Sequence, residues 1–310
     1  MSIKAVLVGA RGYVGTEIIT ILSSHPSVDL IAASSRELDG QEVKQYKKSK
    51  LFYQNLMVED VVTLSPDLII LALPNGLAEA FVKSVDTQRA DTTIIDLSAD
   101  YRFDKGWHYG LPEIHEHKSS KRISNPGCYA TAMQFCIAPV KELVNGRISC
   151  FGISGYSGAG TTPSDKNDLN LLKDNIMPYS LANHLHEKEV THHLSLDIKF
   201  SPHVAEYFRG ISLTSHIPLK ESLQLEQLED LYRMYYEGNS LVNIQKEPPQ
   251  VTQVTGLYSA LIGGLTLSES GTHLAINCVI DNLLKGAASQ AVQNINLAFG
   301  LPQLEGLTVQ

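Results

Sequence analysis

The sequence is poor in several features, and each shortage removes a class of protein. Cysteines number four in 310 residues, Cys128, Cys136, Cys150 and Cys278, with no paired spacing. Disulfide frameworks and cysteine-rich zinc sites both need cysteines at short, repeated intervals, so neither is expected. Positive charge is scarce as well: 25 Lys and Arg stand against 33 Asp and Glu, a formal charge of −8. A nucleic-acid surface requires clustered basic side chains, which excludes that partner. The one basic cluster, Lys44 to Lys50, is interrupted by Gln45, Tyr46 and Ser49 and reads as a solvated loop. No apolar run reaches membrane-spanning length without charge, and Ile3 to Val8 is too short for a secretory signal. Internal repeats and low-complexity tracts are missing too. A reduced, cytoplasmic protein with no membrane contact is expected.

What is present is an ordinary globular composition, 43% hydrophobic and 19% charged, over a length sufficient for two domains. The first hundred residues alternate strand-like and helix-like segments. Ile3 to Val8, Val28 to Ala33, Leu68 to Leu73 and Thr92 to Leu97 read as strands, with helices at Thr16 to Ser23 and Gly76 to Val85. This alternation predicts an α/β, doubly wound (Rossmann) parallel sheet. Beyond residue 128 the texture changes. Ile148 to Ser154, Asp197 to Ser201, Gly210 to Ile217, Val251 to Thr255, Ser259 to Leu267 and Thr272 to Ile280 look like strands, and Gln224 to Tyr236 like an amphipathic helix. A second, α+β domain with a mixed sheet follows. Asp281 to Phe299 reads as one helix. The expected division is therefore 1–127, with the C-terminal segment 281–310 packing back on it, and a catalytic domain over 128–280.

Cys128 sits directly after a Pro-Gly turn in Ser124-Asn125-Pro126-Gly127 and directly before a helix-length apolar run. A thiol at a helix N-terminus meets unpaired backbone N–H groups and the positive end of the dipole, and both favour the nucleophilic thiolate. Most cysteines are small buried hydrophobes instead, and Cys136, Cys150 and Cys278 lie in apolar stretches that fit this use.

Gly9-Ala10-Arg11-Gly12-Tyr13-Val14-Gly15 joins the first strand to the first helix. Glycines here let the backbone turn tightly against a pyrophosphate seated on the helix N-terminus. A glycine-rich turn without a ligand is the plainer alternative. The second strand ends in Ser34-Ser35-Arg36, with Glu37 one residue further on. NAD calls for a carboxylate at this point, whereas hydroxyls and an arginine suit the 2′-phosphate of NADP. NADP is the expected cofactor; a solvated loop charge is the alternative for Arg36. A nucleotide site and a nucleophilic cysteine together point to a thioester that accepts hydride.

The chemistry also needs an acid/base and a cation for an anionic substrate. Asn183-His184-Leu185-His186-Glu187-Lys188-Glu189 offers two histidines and a supporting carboxylate. His-x-His followed by His192 and His193 leaves a metal open, but acid/base chemistry suits the cysteine better and no metal is expected. Arg209 stands just before a strand, where a guanidinium can hold a carboxylate or form a structural salt bridge.

Taken in order, these segments resemble the N-acetyl-gamma-glutamyl-phosphate reductases of the semialdehyde dehydrogenase superfamily, which serve arginine biosynthesis. The resemblance runs nearly the full length. It includes Gly9 to Gly15, Ser34 to Leu38, Leu97 to Arg102, Ser124 to Thr131, Ser157-Gly158-Ala159-Gly160, the His184, His186 and Glu189 cluster, Pro202 to Gly210 and Asp281 to Ala288. The Ser-Ser-Arg ending of the second strand is similar to the reductase part of fungal bifunctional enzymes. The resemblance implies that Cys128 attacks the acyl phosphate of N-acetyl-glutamyl 5-phosphate and that NADPH reduces the thioester. It makes His184 the acid/base with Glu189 in support, and His186 the fallback. Arg102, Asn125, His186 and Arg209 would contact substrate. Ser98, Ser157, Gly158 and Asn282 would join Gly9, Arg11, Gly12, Tyr13, Val14, Gly15, Ser34, Ser35 and Arg36 around the cofactor. A homo-oligomer, dimer or tetramer, is implied as well. Leu185 and Lys188 depart from the family's Arg and Pro, Arg11 stands where many relatives have Ser, and Ala130 replaces a common Pro.

Two rivals remain open. Aspartyl or N-acetyl-aminoadipyl phosphate would be handled by the same cysteine turn and cofactor loop. A redox-sensing NADP-binding regulator would need the loop without a nucleophile.

Overall fold

The computed structural model describes residues 2–116 and 120–308. The chain divides into two compact units, one holding Met1–Gly127 and Ala287–Thr308, the other Cys128–Gly286.

The first unit is built on β1 (Ile3–Val8), α1 (Tyr13–Leu22), β2 (Val28–Ser34), β3 (Tyr53–Gln54), α2 (Val58–Thr63), β4 (Leu68–Leu71), α3 (Glu79–Gln88), β5 (Thr93–Asp96), β6 (His108–Tyr109) and β7 (Arg122–Ser124). Its seven strands run in the order β3-β2-β1-β4-β5-β7-β6, every pairing parallel. Strands covered on both faces must be apolar throughout, and β4, Leu-Ile-Ile-Leu, is wholly buried. One face packs Val61, Val62, Val82 and Val85 of α2 and α3 against Val6, Ile69, Leu71 and Ile94. The other carries α1 together with the C-terminal helix of the chain. The doubly wound architecture read from the strand–helix alternation is present. The short strands β3, β6 and β7 are additions to it, too brief to leave a periodic pattern.

The second unit comprises α4 (Cys128–Ile137), β8 (Ile148–Gly155), α5 (Leu169–Leu172), β9 (Ile176–Pro178), α6 (Leu185–Leu194), β10 (Ile198–Ala205), β11 (Ile211–Pro218), α7 (Leu225–Tyr235), β12 (Val242–Ile244), β13 (Ala260–Leu267) and β14 (His273–Ile280). Its sheet is mixed, in the order β12-β13-β14-β11-β8-β10-β9. The pairs β8–β10 and β12–β13 are parallel and the rest antiparallel. Nine of the ten residues of α4 are buried, and the helix packs on β11, β14 and α6. Side chains alternate across the strands, so Ser149, Phe151, Lys199, His216 and His273 are exposed.

Two sequence expectations are corrected. Val251 to Thr255 is a 3₁₀ turn at Val251–Gln253, not a strand. Its alternating pattern follows Pro248-Pro249, and Gln253 Oε1 accepts from Gln250 N at 2.7 Å to close the turn. Asp281 to Phe299 is not one helix either. A tight turn is followed by a π-helical turn at Leu284–Ala288, and only then by α8 (Ser289–Ala298). The Asp281 carboxylate draws the N–H groups of Leu283 and Leu284 at 2.9 and 3.2 Å, which delays helix formation.

Candidate active site

In the first unit the site is mostly backbone. Gly9 has φ +84, and a side chain there would run into the carbonyl of Ala72 in the loop after β4. Gly12 is the N-cap of α1; it donates to Gly9 O at 3.2 Å and accepts from Thr16 N at 2.9 Å. A Cβ on Gly15 would stand 2.6 Å from Gly9 O, so helix and loop meet where only glycine fits. Tyr13 and Val14 open the helix, whose first N–H groups point into this cradle. A pyrophosphate fits the arrangement: close backbone, no obstructing side chains, and the positive end of a ten-residue helix.

Ser34 ends β2 and is buried with Ser35, whereas Arg36 is exposed. Both carboxylates of the following turn are engaged. Glu37 pairs with Arg11 at 2.9 Å, and Asp39 accepts from Asn55 N at 3.0 Å. At the ends of the next strands, Ser98 donates to the buried Asp96 at 2.7 Å, so its hydroxyl is committed inside the protein.

Arg102 and Asn125 also serve the backbone. Arg102 is 7% exposed; its Nε donates to Asn125 O and its Nη2 to Leu97 O, both at 2.9 Å. Asn125 accepts from Asn294 Nδ2 at 3.0 Å and donates to Ala287 O at 3.2 Å. These contacts fix the turn that leads directly into Cys128.

In the second unit Cys128 opens α4 and is partly exposed, while Cys136, Cys150 and Cys278 are buried. Burial pushes the thiols of Cys136 and Cys150 up, Cys136 further through Cys278 beside it and Cys150 to about 12. Around Cys128 stands a cluster of rings. Tyr129 packs edge-on against Phe200 at 4.7 Å and against His184 at 6.4 Å; Tyr179 meets His184 at 5.8 Å. Burial raises both tyrosine hydroxyls, and the charge of Cys128 adds to each. Tyr129 donates to His203 O at 2.8 Å.

His184 is the N-cap of α6, and its Nδ1 accepts from His186 N at 3.1 Å. Its ring proton therefore resides on Nε2. Burial, reinforced by Lys166 and opposed by Glu187, pushes its pKa down to about 4, so the ring is neutral at pH 7. His186, whose ring centroid lies 4.9 Å from that of His184, packs on Tyr129 as well. Glu189 is fully buried three residues further along α6, on the same helix face as His186. Glu187 anchors the helix to β10 through Phe200 N at 3.0 Å and Lys199 at 3.2 Å.

Ser157 and Gly158 follow β8. The Asn282 amide donates to Ser157 Oγ at 3.0 Å and accepts from Gly210 N at 2.6 Å, so Asn282 fixes that turn from within. Arg209 is held by Asp281, Nε to Oδ2 at 2.6 Å. Sequence reasoning brought together Cys128, His184, His186 and Glu189 but missed Tyr129, Tyr179, Lys166 and Asp281. Only Tyr129, adjacent to Cys128, carried a local signal. No group of three or more potential metal ligands occurs among the described residues.

Residues 4–122 match the family described as semialdehyde dehydrogenase, NAD binding domain, and residues 128–282 the semialdehyde dehydrogenase dimerisation domain. Among solved structures, aspartate semialdehyde dehydrogenase II of Vibrio cholerae superposes with a TM-score of 0.80 at 19% identity, over 97% of this chain and 99% of that one. The Candida albicans enzyme solved with NADP gives 0.75 at 16%, over 96% and 98%. These likenesses establish the fold. Sequence relatives lie much nearer. An N-acetyl-gamma-glutamyl-phosphate reductase of Xanthomonas campestris is 48% identical over 97% of both chains, and one of Stenotrophomonas maltophilia 47% over 97% and 96%. Protein ARG5,6 of Candida albicans, described as mitochondrial, is 46% identical over 99% of this chain and 37% of its own length. With a parallel NAD(P)-binding unit, a cysteine at a helix start and relatives matched end to end, the chain belongs to the N-acetyl-gamma-glutamyl-phosphate reductases, oxidoreductases of the semialdehyde dehydrogenase superfamily.

Proposed function

We propose that the protein reduces N-acetyl-glutamyl 5-phosphate to N-acetyl-glutamate 5-semialdehyde and phosphate with NADPH, through a thioester on Cys128, in arginine biosynthesis. The observation that carries this chemistry is Cys128 at the start of α4, partly exposed and beside Tyr129 and Tyr179, on which the neutral His184 packs. The acyl group follows from relatives 47–48% identical over nearly the whole chain.

The Cys128 sulfur forms a bond to the acyl carbon and the carbon–oxygen bond to phosphate breaks, the phosphate leaving with the bonding pair. Bound NADPH supplies the hydride that reduces the thioester. Cys128 then departs as thiolate and the aldehyde is released; the one proton required ends on phosphate. His184 offers Nε2–H to the substrate oxygen on which charge develops, and does so without changing its own protonation. His186 is the second reading for the acid/base, because Nδ1 of His184 is engaged in the helix cap and His186 shares a helix face with Glu189. Arg209 holds the substrate carboxylate. Arg102 and Asn125 act by fixing the turn before Cys128.

NADP rather than NAD is supported by Ser34, Ser35 and Arg36 at the end of β2, with Glu37 and Asp39 engaged elsewhere. Gly9, Arg11, Gly12, Tyr13, Val14 and Gly15 would cradle the phosphates; Ser98, Ser157, Gly158 and Asn282 would shape the nicotinamide end. A homo-oligomer is proposed through the second unit, which matches a dimerisation domain and leaves Phe151 43% exposed on its sheet. The cytoplasm is the proposed compartment, since no disulfide links the four cysteines and no described helix is long and apolar enough to cross a membrane.

The deciding assay is phosphate-dependent NADP reduction with three semialdehydes. N-acetyl-glutamate semialdehyde is expected to give the highest kcat/KM. Preference for the aspartate or N-acetyl-aminoadipate semialdehyde overturns the assignment.

A further inference from the structure

Arg209 and Asp281 form an ion pair around a fully buried carboxylate in the second unit. Asp281 is 0% exposed, yet its carboxylate accepts from Gly256 N at 2.8 Å, Leu283 N at 2.9 Å and Leu284 N at 3.2 Å. Arg209 donates from Nη2 to Oδ1 at 3.1 Å, and its Nε stands 2.6 Å from Oδ2 as an ion-pair contact. A buried carboxylate is costly to desolvate unless hydrogen bonds replace its water, and here four groups do so. The neighbouring pair is joined as well: Asn282 accepts from Gly210 N at 2.6 Å. Two consecutive side chains thus hold two consecutive residues just before β11.

The pair is asymmetric. The carboxylate is sealed, whereas the guanidinium side chain retains 18% of its surface. A planar guanidinium hydrogen-bonded through Nη2 to a buried carboxylate that also lies against its Nε is oriented from inside the protein. A structural salt bridge does not require one partner to reach the surface; an aimed cation does.

We infer that Asp281 is a positioning residue for substrate: it fixes the plane of Arg209 so that the guanidinium meets an acyl substrate's carboxylate in register. This rests on the reading of Arg209 as the carboxylate clamp. A neutral amide at position 281 can keep the hydrogen bonds from Leu283 and Leu284 on its one oxygen, gives up the bond from Gly256, and removes the charge that aligns Arg209. Misalignment by about 1 Å is enough to weaken a two-point contact severely.

The test uses the full chain, NADP, phosphate and N-acetyl-glutamate semialdehyde. Asp281→Asn is expected to raise the semialdehyde KM by about tenfold or more, with kcat and the NADP KM within about twofold of the parent. Asp281→Glu keeps the buried charge but moves it by one methylene, and should raise the same KM if Asp281→Asn does not fold. In an Arg209→Leu background either substitution should add nothing further to the semialdehyde KM, because the route through the guanidinium is gone. An Arg209→Leu enzyme with unchanged KM overturns both the clamp and the positioning role. A KM raised by Arg209→Leu but not by the Asp281 variants overturns the positioning role alone. The positioning role also falls if the Asp281 variants lower only the melting temperature, or if their KM effect persists in full without Arg209.

Discussion

The two units make their sites from different material. In the first, the cradle is backbone: Gly9 and Gly15 allow main chain to approach main chain, and the helix start capped by Gly12 supplies N–H groups. In the second, the candidate site is side chains drawn from separate segments, Cys128 and Tyr129 on α4, Tyr179 after β9, His184 at the cap of α6 and Arg209 before β11. A backbone site tolerates exchange of most side chains and is destroyed by adding one. A side-chain site behaves in the opposite way. Each group is a separate target, and each removal has its own kinetic signature.

The sharpest test of this contrast is the pair Cys128→Ser and Gly9→Val. Serine keeps the shape but lacks a base to activate it, so turnover should fall by at least about 10³-fold with NADPH affinity retained. Valine at Gly9 faces positive φ and the Ala72 carbonyl, so NADPH binding should be lost while iodoacetamide still alkylates Cys128. Titration of cofactor fluorescence and mass spectrometry of the alkylated peptide read the two outcomes. Alkylation appearing instead at Cys136 would transfer the nucleophile to the other end of α4.

Next in size is His184→Asn, expected to slow the chemical step by roughly 10²-fold with little change in KM. A larger loss in His186→Asn, with His184→Asn nearly silent, would make His186 the functional member of the pair. Arg36→Asp should be smaller: the ratio of kcat/KM for NADPH over NADH falls by about 10–100-fold, the loss of one charged hydrogen bond of roughly 1.5–3 kcal/mol. An unchanged ratio would place the 2′-phosphate elsewhere.

The smallest effect is on stability. His184 in the folded protein protonates only near pH 4, against 6.5 in the unfolded chain. As pH falls below 6.5 the unfolded chain takes up the proton first, so stability declines between 6.5 and about 4 and is unaffected above 6.5. His184→Asn should flatten that decline in urea melts at pH 7, 6 and 5. His25, also lowered by burial, contributes the same slope to both proteins. Equal slopes in the two would mean that His184 is solvated.

How far each site can be read from sequence follows the same division. The cradle occupies seven consecutive residues, and its steric demands are recorded in the glycines themselves. Cys128 is legible because its turn and helix start are local. Tyr179 and Lys166 are not, because they reach His184 only through the fold of the segment before α6. The anchoring of Asn282 and Asn125 is not legible either, because Gly210, Ser157, Ala287 and Asn294 lie far away in sequence. Val251 to Thr255 imitates a strand because alternation is all that a short segment offers. The late start of α8 depends on what one carboxylate captures, and periodicity carries no record of that.

The chain passes between the two units at Gly127–Cys128 and again at Gly286–Ala287. A Cβ placed on Gly286 would lie 2.7 Å from that of Cys128, so the second unit begins and ends at one point. It is an insert whose ends touch, carried by a host that closes around Asn125 and Ala287. A cassette of that kind can be exchanged without stretching what surrounds it. Exchange of Cys128–Gly286 as a block would carry the proposed nucleophile, its first residue, along with the ring cluster and Arg209, and would leave behind in the host only the glycine cradle.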